Sequence, residues 1–214
     1  LSGLRNLLWV PLVRVRPLEA EARRAAALLA SGAYDCAAIT SPRGVEALRE
    51  ALGRWPEPVR PYCIGGGTAR AFAEAFEFAP RVPGSYDSAG LARAIAGDGC
   101  RRVLTVRSSA GDDELESSLL SSGIEVARVN VYDELVVAQS EAPSFSVAVV
   151  TSSVIARAFC EHVWRAGLRA VVVAMGPKTE AALRASCRDL GRVLVLQERS
   201  FKAMLPLLKA LGCS

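Results

Sequence analysis

The sequence predicts an α/β protein built from parallel sheets, and three observations carry that reading. Short apolar runs alternate with longer amphipathic stretches. Proline stands where helices should begin, as Pro42 after Ser41 and Pro177 after Gly176. The chain also matches itself: "YDCAAITSPRGVEAL" from Tyr34 aligns with "FSVAVVTSSVIARAF" from Phe145 at a shift of 111 residues. Thr40 and Ser41 fall on Thr151 and Ser152, Gly65 on Gly176, Thr68 on Thr179 and Ala71 on Ala182. The chain therefore reads as an internal duplication.

In order, strands are expected at Cys36–Ile39, Tyr62–Ile64, Val147–Val150 and Val171–Ala174, apolar runs of the kind buried on both faces of a parallel sheet. The helices after them are amphipathic. Val45, Leu48 and Leu52 share one face, as do Ala69, Phe72 and Phe76, and Leu183, Cys187 and Leu190. Further β/α units are expected at Val103–Val106 with a helix over Asp112–Ser121, and at Val193–Leu196 with Phe201–Leu211. A second self-match sets "LSGLRNLLWVPL" on "SSGIEVARVNVY", Gly3 falling on Gly123. The later copy is preceded by a strand and helix and the first is not, so the first β/α unit is expected to be missing.

Composition narrows the class. The chain has 214 residues, 51% of them hydrophobic, enough for real cores; aromatics are only 6%, so those cores must be mostly Ala, Val and Leu. A net charge of +4 suits an anionic ligand or is simply a mildly basic surface, and Lys/Arg clusters with interleaved aromatics are absent, which argues against nucleic acid. No apolar run approaches the roughly 20 residues of a membrane helix, and Arg5, Arg14 and Arg16 break up the opening stretch, so no signal peptide is expected. Six cysteines without C-x-x-C spacing and a single histidine, His162 in a helical pattern over Val154–Ala166, leave no zinc site or hydrolytic triad. Cys36 and Cys63 in strand-like runs read as free core thiols, which suggests a reduced, cytoplasmic protein.

The glycine loop "CIGGGTARAF" resembles a phosphate cradle but matches neither standard form. Gly67 stands where a Walker loop needs Lys, and Arg70 where a dinucleotide fingerprint needs its third Gly. The repeat explains it instead, because "IGGGTARA" and "MGPKTEAA" are two copies of one strand-to-helix turn.

In an open parallel sheet, ligands bind beyond the carboxyl ends of the strands. Four helix N-termini are expected there, at Ser41–Gly44, Gly66–Arg70, Ser152–Ile155 and Pro177–Thr179, each an anion site through its unpaired N–H groups and dipole. Candidate binding residues are Thr40, Ser41, Gly65, Gly67, Thr68, Thr151, Ser152, Ser153, Gly176 and Thr179, with Arg43, Arg107 and Lys178 as cations. Ser41 and Ser152 have a second reading as plain N-caps. One helix terminus contributes about 0.3–1 kcal/mol to an anion. A micromolar ligand needs about 8 kcal/mol, so charge partners and shape must supply most of it. Tyr132 in "VNVYDE" is the best proton donor by position, and a packing tyrosine is the other reading of it. Asp35, Asp133 and Glu134 sit at strand or linker edges.

Five motifs in order, "ITSPRGVEAL", "CIGGGTARAF", "NVYDE", "VVTSSVIARAF" and "MGPKTEAAL", resemble uroporphyrinogen-III synthases, and "VPLVRVRP" looks like that family's first crossing between domains. The resemblance implies two flavodoxin-like domains, one inserted in the other and joined by two crossing strands. The inner domain would span residues 13–131 and the outer one 1–12 plus 132–214. It implies a monomeric, cytoplasmic, cofactor-free enzyme without metal. Such an enzyme cyclises the linear tetrapyrrole hydroxymethylbilane to uroporphyrinogen III with inversion of ring D. Tyr132 would help the hydroxyl leave, and Thr68 and Thr179 would bind substrate with Ser41 and Ser152. Three departures from the family pattern stand out: the missing first unit, Gly66–Gly67 in place of bulkier residues, and Ser153 in place of proline. The alternative is a non-catalytic two-domain module holding an acidic small molecule in its cleft.

Overall fold

The computed structural model describes residues 6–139, 141–196 and 201–213. Among these there are eight helices and eight strands in two sheets, in which β2 to β5 pair parallel in one and β6 to β8 in the other. The chain divides into two compact units: Val15–Glu134, and the stretch up to Arg14 together with Leu135 onward. Both divisions fall inside strands, β1 (Val13–Pro17) and β5 (Glu125–Val136). The expected match of Gly3 with Gly123 lies outside the described residues.

The unit Val15–Glu134 holds a sheet of order β1-β5-β4-β2-β3. β2 (Cys36–Ile39) lies inside the sheet, with Ile39 opposite Cys63 of β3 (Arg60–Cys63) on one side and Val106 of β4 (Arg102–Ser108) on the other. Alternate β2 side chains point to opposite faces, and the two cores follow from that. Ala37 and Ile39 meet α1 (Glu19–Ala30), α2 (Pro42–Leu52) and α3 (Gly66–Phe76) through Leu29, Leu48 and Phe72. Cys36 and Ala38 meet α4 (Ser88–Gly97) and α5 (Glu114–Ser121) through Leu91, Ile95, Leu115 and Leu119. The chain leaves β2 for β3 at one edge and returns to β4 on the other side. The topological switch point thus lies between β2 and β4.

The other unit carries β6 (Val147–Val150), β7 (Val171–Ala174) and β8 (Val193–Val195) in that order. On one face α6 (Ser153–His162) and α7 (Pro177–Ser186) bury Phe159 and Leu183 against Val150, Val172 and Ala174. On the other, Met204 and Leu208 of α8 (Phe201–Ala210) cover Val173.

Two expectations are corrected. Leu183, Cys187 and Leu190 do not share a helical face: α7 ends at Ser186 and Cys187 is extended. Nor is Cys36 a free thiol. It is bonded to Cys100 across a Cα–Cα distance of 6.2 Å, and Cys160 to Cys187 across 4.8 Å, both within disulfide reach. Their separations of 64 and 27 residues hid this, since only the pairing of β2 with β4 and the packing of α6 on α7 bring the partners together. Cys63 is free and buried, and burial pushes its thiol up to about 12. No helix among the described residues is long and apolar enough to cross a membrane. No cluster of His, Cys, Asp and Glu among the described residues could hold a metal ion.

Candidate functional site

The switch point is where backbone and side chains converge in the Val15–Glu134 unit. Ser41 follows β2 with extended backbone, and its hydroxyl accepts the Gly44 N–H at 3.1 Å, capping α2 with Pro42 in the first helical position. Gly44 fits a close approach. A Cβ there would lie 3.3 Å from Ile39 Cγ2 and 3.5 Å from the Val106 carbonyl oxygen, so glycine lets the helix start settle onto the strand ends. The Tyr132 hydroxyl donates to the same Ser41 oxygen at 2.9 Å.

Tyr132 is 8% exposed. Burial pushes its phenol above the usual value near 10, and the Glu134 carboxylate adds to that. It therefore stays protonated across the working range, as a donor must. A register irregularity aims it: Arg107 faces Asn130, but the next residue, Ser108, faces Tyr132 rather than Val131.

The remaining expected residues fall on two sets of loops, one per unit. In the first, Thr40 and Ser41 leave β2, and Gly65 and Gly67 leave β3, with Gly65 extended at the N-cap of α3. In the second, the Ser152 hydroxyl accepts the Ile155 N–H at 3.2 Å, Gly176 caps α7, and the Ser153 hydroxyl donates to the Lys178 carbonyl at 3.2 Å. Thr151 and Ser152 end β6 as Thr40 and Ser41 end β2. Thr68 and Thr179 hold the same place, third in their helices, and each is only 5% exposed.

Arg107 departs from its expected role as an accessible cation. It is 6% exposed and bound to Glu116, whose other oxygen accepts from Thr105 at 2.6 Å, and its Nε finds no partner among the described residues. Arg43 is exposed and paired with Glu46 at 2.8 Å. Asp35 is structural, accepting the Arg101 and Arg102 N–H groups at 2.9 Å, which hold its carboxyl below the usual range.

Two neighbours, Tyr86 and Ser108, have no motif of their own in the sequence. The Tyr86 ring lies over the glycine loop, 3.4 Å from where a Gly65 Cβ would stand, while the faces of Gly66 and Gly67 are open. Ser108 is buried and donates to Glu134 at 2.9 Å. Only the strand register brings Ser108 opposite Tyr132, whereas Glu134 lies two residues on in the same strand.

The family model described as "Uroporphyrinogen-III synthase HemD" matches residues 5–205. The chain belongs to the uroporphyrinogen-III synthase family. These enzymes are cyclising hydro-lyases of tetrapyrrole and heme biosynthesis, and the activity is closure of hydroxymethylbilane to uroporphyrinogen III with inversion of ring D and loss of water. Solved uroporphyrinogen-III synthases share the fold. The Helicobacter pylori enzyme superposes with a TM-score of 0.70 at 18% identity, over 98% of this chain and 95% of that one. A mutant enzyme from Thermus thermophilus gives 0.68 at 20%, over 97% and 90%. The wild-type Thermus enzyme in a second crystal form gives 0.57 at 20%, over 96% and 88%. No curated protein matches the chain by sequence.

Proposed function

We propose that Tyr132 is the proton donor of the synthase reaction and that the helix N-termini hold the substrate's acetate and propionate groups. The observation that carries this is the buried, protonated phenol hydrogen-bonded to Ser41 at the start of α2, at the switch point of the sheet. The C–O bond of the hydroxymethyl group breaks, and the phenol proton goes to the departing oxygen, which leaves as water. The electrophile left behind is attacked by the substituted carbon of ring D, and the bond from that carbon to its original bridging methylene then breaks, which restores the ring and leaves that methylene as a new electrophile. The unsubstituted α-carbon of ring D attacks it to close the macrocycle, the hydrogen on that carbon is lost as a proton as the pyrrole regains aromaticity and returns to the tyrosinate, and the balance closes without a co-reactant. Because the electrophile closes readily by itself to the uninverted isomer, the protein's main task is orientation.

In this reading Thr40, Ser41, Gly65 and Gly67 in one unit, and Thr151, Ser152, Ser153 and Gly176 in the other, offer main-chain N–H groups and hydroxyls to carboxylates. Lys178 and Arg43 add charge. Thr68, Thr179 and Arg107 support these loops from within.

The reading extends to the organisation of the chain. An inner domain of residues 13–131 is inserted into an outer one, and the two descend from a duplication. In support, β2, α2, β3 and α3 begin 111 residues before β6, α6, β7 and α7 respectively. We take the enzyme to be a monomer, which sedimentation tests, and to work in the cytoplasm. Disulfides are rare there, so counting alkylated thiols in freshly lysed cells tests that location.

The functional test is Tyr132→Phe, assayed by separating type I and type III uroporphyrins after incubation with fresh hydroxymethylbilane. The expected result is a 10²-fold or larger fall in kcat with KM little changed, in line with loss of a general acid. Unchanged kcat would reject Tyr132 as donor.

A further inference from the structure

We propose that Tyr86 is a substrate-binding residue, its ring forming one wall of a subsite for a pyrrole of the substrate beside Gly65, Gly66 and Gly67; this rests on that glycine loop being part of the substrate surface. Tyr86 stands in the turn before α4, with its Cγ and Cβ 3.4 and 3.5 Å from where a Gly65 Cβ would lie. The absence of a side chain at 65 lets the base of the ring settle on the loop. Tyr86 nevertheless remains 58% exposed, so most of it faces outward from that contact.

The turn that carries the ring is braced. Asp87 caps α4 by accepting the Gly90 N–H at 2.7 Å, and its own N–H donates to the Ser85 carbonyl at 2.9 Å. A Cβ at Gly90 would lie 2.2 Å from that same carbonyl oxygen, so glycine at 90 is what allows the turn to close. Tyr86 is thus an exposed aromatic displayed from a fixed turn, the arrangement by which loops on a rigid scaffold present binding side chains.

The ring also stands at the right end of the sheet. The Ile64 N–H donates to the Ile39 carbonyl at 3.1 Å, which pairs the ends of β2 and β3 just before Ser41 and Gly65. Neighbouring strands lie about 4.8 Å apart, so the glycine loop runs beside the Tyr132–Ser41 pair. Single methylenes join the rings of a linear tetrapyrrole. A substrate with one ring at Tyr132 therefore reaches Tyr86 with another. Side chains at 66 and 67 would project into open space, and glycine leaves that space to the ligand. A flat ring can lie there against Tyr86, face or edge on, with its carboxylates toward the N–H groups at the start of α3.

The test uses the full chain, with kcat and KM for type III uroporphyrinogen from fresh hydroxymethylbilane and the urea midpoint read alongside. Tyr86→Ala should raise KM about three- to ten-fold, the range of a single aromatic contact. Its kcat and urea midpoint should stay near the parent's, because the ring is exposed. Tyr86→Phe keeps the ring and should keep the parent KM. Gly67→Asp tests the loop separately: it places a carboxylate in the open space, in a helical first turn that tolerates one, and should raise KM by repelling the substrate's own carboxylates. An unchanged KM in Tyr86→Ala overturns the inference. If Gly67→Asp still raises KM in that case, the loop touches substrate and the ring does not; if it too has no effect, the reading of the loop falls as well. A Tyr86→Phe protein as impaired as Tyr86→Ala would overturn the ring contact in favour of the hydroxyl. A KM rise that comes with a lower urea midpoint would make Tyr86 a structural residue and overturn the inference also.

Discussion

Ser41 joins helix capping to the chemistry, and its removal gives the sharpest test of that union. Ser41→Ala deletes two interactions: the cap on the Gly44 N–H at 3.1 Å and the acceptor of the Tyr132 hydroxyl at 2.9 Å. Loss of an N-cap hydroxyl costs about 1 kcal/mol. Depriving a buried hydroxyl of its partner costs about 1–3 kcal/mol more, and the residual 8% exposure of Tyr132 keeps that toward the lower end. The expected loss is therefore about 2 kcal/mol. Ser152→Ala is the internal control, since the only side-chain bond it removes among the described residues is the cap on Ile155, so about 1 kcal/mol is expected. Urea unfolding of Ser41→Ala, Tyr132→Phe and the double variant closes a thermodynamic cycle. In the Tyr132→Phe background, Ser41→Ala should fall to the cost of a cap alone, leaving a coupling of about 1 kcal/mol. Equal costs in both backgrounds would refute the Ser41–Tyr132 bond as an energetic link and reduce Ser41 to an ordinary cap.

Two further outcomes follow from the packing and the electrostatics. Phe72 is fully buried with its ring 4.9 Å from Trp55 and 4.8 Å from Phe76, so Phe72→Ala should cost about 3–5 kcal/mol, seen as a lower urea midpoint. A loss under 1 kcal/mol would mean that the core closes over the cavity. Asp35, whose carboxyl is held low by the Arg101 and Arg102 N–H groups, contributes stability that is present above the unfolded pKa near 3.9 and is lost as pH falls through the folded value. Asp35→Asn should therefore unfold more easily than the parent at neutral pH, and the gap should close as pH falls through the lowered folded value. A gap that persists in acid would point to packing rather than charge.

The local grammar of the chain was legible in the sequence. Cys36–Ile39, Val147–Val150 and Val171–Ala174 are strands over just the residues their apolar runs mark, because a strand buried on both faces must be apolar throughout. Ser41 and Ser152 cap helices, and Pro42 and Pro177 begin them, because those preferences belong to the first turn and need no distant partner. The ordered motifs were enough to indicate the family. What the tertiary structure decided are the pairings between residues far apart in the chain. Cys36 and Cys100 meet because β2 and β4 are neighbours in a sheet whose order is not the chain order. Arg107, an accessible cation by sequence, is turned inward onto Glu116, since burial is a property of a face and not of a residue type. Ser108 reaches Tyr132 through a one-residue slip in the pairing of β4 with β5. A strand changes faces with every residue, so such a slip decides which side chains meet. It depends on both strands at once, and neither stretch of sequence carries it alone.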